Sequence, residues 1–142
     1  MKDTGQARLW AARVLIGLVA GWNLQCALVF LMRPAAFAPS FELSDVSGAA
    51  AVRGVGILFV MWNIPYLVAL WHPRRHRLSL LEAWGMQLAG LLGESGLLTT
   101  LPLEHTLLRV SIQRFIVFDA AGLLALTLAW WLTRRVDPAL NA

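Results

Sequence analysis

The sequence predicts an all-α protein, a four-span transmembrane helix bundle with antiparallel neighbours, and three observations carry that reading. Hydrophobic residues make up 58% of the 142 and charged ones only 14%, against roughly 45–50% apolar content in soluble domains. Four apolar runs of membrane-crossing length follow one another, at about 9–32, 47–71, 78–101 and 104–132, and a crossing needs about 20 such residues. Positive charge gathers on alternate connections, which is how cytoplasmic loops are marked. A single transmembrane domain, 1–142, accounts for the length, because nearly every residue is needed to span or to connect the spans.

Span one is closed by Arg33-Pro34, since proline lacks an N–H and pushes the preceding residue out of the helical region. The run from Val14 to Met32 is longer than the apolar core of a secretory signal and is expected to be retained. Gly17 and Gly21 form a GxxxG, a spacing that lets another helix approach. Asn23 follows as a helix-to-helix hydrogen-bonding residue. The connection 34–48 alternates Phe37, Phe41 and Leu43 with Ser40, Glu42 and Asp45. That composition fits either a short interfacial helix lidding the bundle or an ordinary loop with two phenylalanine anchors.

Span two is expected to open at Ser47 as N-cap. It carries Arg53 one to two turns in, then Asn63 and the helix-kinking Pro65. The loop His72-Pro-Arg-Arg-His-Arg77 is the densest positive segment. With Lys2, Arg8, Arg13, Arg134 and Arg135 it places both termini on the cytoplasmic side of the inner membrane. The other two connections hold Glu42, Asp45 and Glu104. Span three starts with Ser79 as N-cap and repeats Gly85, Ala89 and Gly93, a smooth face for packing. Leu101-Pro102-Leu103 turns it back into span four as a helical hairpin.

The stretch 86–121 holds the polar residues that bear on function. A charged side chain at membrane depth costs about 2.5–3.5 kcal/mol on insertion scales, so such groups pair or line a cavity. Gln87 and Glu94 are seven apart and share a helix face. Glu94 and Arg114 fall at comparable depth on adjacent antiparallel helices and are expected to form an ion pair, with Arg53 entering from the same side. Asn63, Gln87 and Asp119 make a second tier, with Asp119 protonated or accepting from Asn63 or a water. The candidate ligand-binding residues are therefore Arg53, Asn63, Gln87, Glu94, Arg114 and Asp119.

Other chemistries lack their residues. A lone Cys26 makes no internal disulfide, and no CxxC or Cys/His cluster is present for zinc. His72 and His76 sit among arginines that disfavour a bound cation. The net charge of +4 and pI near 10.6 come from helix ends and one loop rather than from a nucleic-acid-binding face. No intramembrane nucleophile with a basic partner marks an enzyme.

A first span ending at Pro34, a second carrying Arg53-Gly54-Val55-Gly56, and a fourth carrying Arg114 with Asp119 before Gly122 resemble the layout of small DoxX-like membrane proteins. The resemblance implies a four-helix bundle. Some members are associated with quinone-linked oxidation of sulfur compounds as a membrane subunit, an activity that these short motifs do not carry over. The functional expectation is an outer-half polar cavity for a small or lipid-like ligand, quinone and anion included, or service as a membrane subunit of a larger complex. Small-solute transport by an oligomer and a purely structural polar network are the alternatives. Membrane lipids, a homo-oligomer or a larger complex are the expected partners, and no cofactor is assigned.

Overall fold

The fold was analysed in a computed structural model, which describes residues 2–134. These residues are helical apart from turns: α1 (Lys2–Met32), α2 (Pro34–Phe37), a 3-10 turn (Ala38–Phe41), α3 (Asp45–Trp71), α4 (Arg77–Thr100) and α5 (Thr106–Arg134). By length and composition α1, α3 and α5 can each cross a membrane. Arg135, part of the expected charge pattern, lies outside the described residues.

The four long helices close into a ring. α1 packs on α3 and α5, α4 packs on the same two, and the α3–α5 diagonal is bridged by the Phe59 and Phe115 rings, 6.0 Å between centroids. Short connections put the α1–α3 and α4–α5 turns at one end and the α3–α4 turn at the other. At this second end, beside the α3–α4 turn, Ile16, Tyr66, Leu80 and Leu126 are fully buried among Ala12, Ala69, Ala83 and Ala129, a dry core in which alanines let the helices close up.

Several helix ends differ from the sequence expectation. α3 begins at Asp45, and the preceding Ser44 bonds the Asp45 carboxylate rather than a backbone N–H, so Ser47 is inside the helix. Ser79 is likewise inside α4, because the turn closed by His76 N–H to His72 O starts that helix at Arg77. Arginines supply caps instead. Arg109 donates to the carbonyls of Leu98 and Leu101 at 3.1 and 2.7 Å, satisfying orphan acceptors at the end of α4. Arg13 does the same for Trp71 at the end of α3, and Arg74 reaches Gly5 O at 2.8 Å. These two arginines tie the turn end together rather than standing free in it.

The glycines are also used differently. A Cβ on Gly56 would come within 3.1 Å of Ala27 O, Phe30 and Leu31, so Gly56 sets the close approach of α3 to α1. Gly21 of the GxxxG has nothing within 4 Å, and Gly17 only the flexible Leu70 side chain. Gly85 and Gly93 meet nothing either, so the small-residue face of α4 points away from the ring.

Candidate functional site

A cleft of about 1110 Å³ opens between α1, α3, α4 and α5 in the half of the ring nearer the α1–α3 turn. Its walls are aromatic. Phe30 is the hub, with ring centroids 5.4 Å from Phe37, 5.8 Å from Phe41, 6.1 Å from Phe59 and 6.5 Å from Phe115. Offset and edge-on pairs at these separations are each favourable beyond the area they bury. Lower down, Trp22 stacks on Phe118 at 5.6 Å, joining α1 to α5.

The segment 34–44 covers this end. It is a short helix followed by a 3-10 turn, the lid form of the two expectations, and Phe37, Ser40 and Phe41 from it line the cleft. Glu42 ends the turn in the left-handed region, at φ 57°. From there its carboxylate lies 2.5 Å from His105 Nδ1 and accepts from the Leu108 N–H at 3.3 Å. Glu42 thus caps the first turn of α5 in trans, where orphan N–H groups and the helix dipole favour an anion. Ser111 donates to Ser40 O at 2.6 Å and fixes the lid from a second point.

The polar floor is a chain of hydrogen bonds, with Ala83 O as a second acceptor 3.1 Å from the Tyr66 hydroxyl. Trp62 N–H donates to the Tyr66 hydroxyl at 3.3 Å, Tyr66 O–H donates to Gln87 Oε1 at 2.5 Å, and Gln87 Nε2 donates to Asp119 Oδ1 at 2.7 Å. The chain runs through α3, α4 and α5. Two glycines make room for it in a reciprocal way. A Cβ on Gly90, three residues after Gln87, would collide with the Asp119 carboxylate, and one on Gly122, three residues after Asp119, would come within 2.6 Å of Gln87 Nε2. Each polar side chain therefore fills the notch left by the glycine of the opposite helix.

Of the six residues expected at the site, Gln87 and Asp119 are bonded to each other, and Glu94, Arg114 and Asp119 line the cleft. The Glu94–Arg114 ion pair does not form. Among the described residues the salt bridge present is Glu42–His105, while Glu94 Oε2 is buried without a hydrogen-bond partner and Arg114 is exposed. The reason is rotational: Arg114 and Asp119 are five residues apart, about 140° around a helix. With Asp119 turned to Gln87, Arg114 lies on a solvent-exposed part of the cleft wall and makes no salt bridge with Glu94. Arg53 is exposed and belongs to no polar cluster. Asn63 is fully buried but donates to Phe59 O at 2.7 Å on its own helix, so Gln87 and not Asn63 serves Asp119.

Two further residues matter. Tyr66 is the chain's one tyrosine and stands one turn beyond Asn63, a position whose polar handle marks it as needing a buried partner. Asn23 lines the cleft with its side chain toward the Tyr66 hydroxyl, about nine-tenths buried, and its Nδ2 makes no hydrogen bond of full geometry. Comparison with protein-family models, with curated proteins and with solved structures finds no match.

Proposed function

We propose that the chain is a four-span protein of the inner (plasma) membrane, with both termini and the Arg-rich turn on the cytoplasmic side. α4, the third span in chain order, crosses with α1, α3 and α5, in a layout that resembles DoxX-like proteins. The protein holds a small or lipid-like molecule in the cleft, alone or as a membrane subunit of a larger complex. The observation that carries this reading is an aromatic cavity lined by Asn23 and Glu94, whose buried Nδ2 and Oε2 make no hydrogen bond of full geometry. Apolar walls with a few convergent polar groups are the usual make-up of a small-molecule site. Buried polar groups left unpaired cost about 1–3 kcal/mol each, which a ligand can recover.

Binding is favoured over transport by what lies beneath the cavity. The hydrogen-bonded chain and the core of Ile16, Leu80, Leu126 and Ala129 fill the other half of the ring. A carrier needs access from both faces in turn. The test is native mass spectrometry of gently extracted protein. A bound small molecule is expected on the wild type and is expected to be absent from Ala121→Trp, which sets an indole into the cleft. Wild type that carries nothing, and that no lipid, quinone or small anion stabilises against heat, overturns the reading.

A further inference from the structure

We infer that the occupant of the cleft is a neutral amphiphile whose polar end carries a hydroxyl group; the inference rests on the binding reading above and names its ligand class. The argument is one of donors and acceptors. Asn23 Nδ2 carries two N–H groups, of which the Tyr66 hydroxyl can take at most one, and Asn23 lines the cleft from α1. Glu94 offers an unused carboxyl oxygen from α4, and Asp119, already held by Gln87, stands next to Glu94 across the Gly90 notch.

A hydroxyl is one donor and two lone pairs, so it can answer an amide N–H and a carboxyl oxygen alike, whichever protonation state the carboxyl adopts. A ligand carboxylate or phosphate is an acceptor only. It would satisfy Asn23 but bring a third acidic group beside the Glu94 and Asp119 carboxyls, and Arg114, the cation among the cleft-lining residues, is exposed to solvent. An ammonium is a donor only, so it would leave the Asn23 N–H stranded, and a site that leaves its own buried polar group unpaired discriminates strongly against that ligand. Beyond the polar end, Phe30, Phe59, Phe115 and Phe118 give a surface suited to an apolar chain or ring system.

The experiment uses full-length protein in nanodiscs and four probes with the same twelve-carbon chain, each at equal mole fraction: dodecanol, dodecyl methyl ether, dodecanoate and dodecyltrimethylammonium. The readout is the midpoint of thermal unfolding. Dodecanol is expected to raise it by several degrees, and the ether, which keeps the acceptor and loses the donor, by less than a third as much. Neither charged probe is expected to raise it. Glu94→Gln, which keeps hydrogen-bonding capacity, should retain the dodecanol shift, whereas Glu94→Leu and Asn23→Leu should lose it while remaining helical and folding cooperatively.

A shift from dodecanoate or from the ammonium that exceeds the dodecanol shift overturns the hydroxyl assignment and leaves the binding reading standing. Equal shifts from the alcohol and its ether do the same. No shift from any of the four, together with a wild type that carries no bound molecule, brings down both.

Discussion

Gln87 is the residue on which most of the interior polarity depends, because it is 1% exposed and bonded at both ends of its carboxamide. Gln87→Leu removes the hydrogen-bond partner of Asp119 and leaves the Tyr66 hydroxyl only Ala83 O, at 3.1 Å, to donate to, so a loss of about 1–3 kcal/mol is expected in a chemical or thermal melt, as for a buried partner removed. Asp119→Asn should be milder, since an amide can still accept from Gln87. A double-mutant cycle between Gln87 and Asp119 should return a coupling of about 0.5–3 kcal/mol. The same cycle between Glu94 and Arg114 should be additive, because the two side chains do not meet.

At the level of whole elements, the lid is latched by a charge pair exposed to solvent. Hydrogen bonding to Glu42 raises His105 above the ordinary imidazole range, and His105 together with the α5 N–H groups holds Glu42 below the ordinary carboxylate range. A raised histidine contributes stability that is full below its unfolded value of 6.5 and is lost as pH rises through its folded value. The lowered carboxylate contributes above 4.5 and loses that contribution as pH falls through its own folded value. Lid protection, read by hydrogen exchange of residues 34–44, should thus be greatest in mildly acidic solution and weaken toward alkaline pH. Glu42→Gln should flatten the profile. Glycines separate into two kinds at this scale. Gly56→Ala drives a methyl against the α1 backbone and should cost about 1–3 kcal/mol. Gly93→Ala meets nothing and should leave the melt unchanged.

For the molecule as a whole, the ring places the lid and the α4–α5 turn at one end and the basic α3–α4 turn at the other. In a Cys26→Ser background, cysteines at Ser44 and Arg75 should label from opposite sides of the membrane with an impermeant maleimide. Labelling from one side would exclude the four-span arrangement. Reconstituted protein should bind its ligand saturably without moving solute across vesicles, and measurable flux would require a second opening through the packed core around Tyr66.

The positions of the helices were legible in the sequence because run length, Pro34 and the His72–Arg77 turn are local signals. α1, α3, α4 and α5 overlap the expected spans, with α1 starting seven residues earlier and every other end within two residues. The alternating phenylalanines of 34–44 left a lidding helix and an ordinary loop both open, and the fold decided for the helix. What only the tertiary structure decided is the rotation of each helix about its axis. Helices that are apolar nearly all round carry no stripe to say which side faces the neighbour. Glu94 and Arg114 therefore looked paired at equal depth, the GxxxG of α1 looked like the contact, and the Gly85–Gly93 face looked buried. Close packing settled each of these, since the Gln87–Gly122 and Asp119–Gly90 notches interlock at one rotation of α4 against α5, and at that rotation Glu94 and Arg114 both line the cleft without meeting.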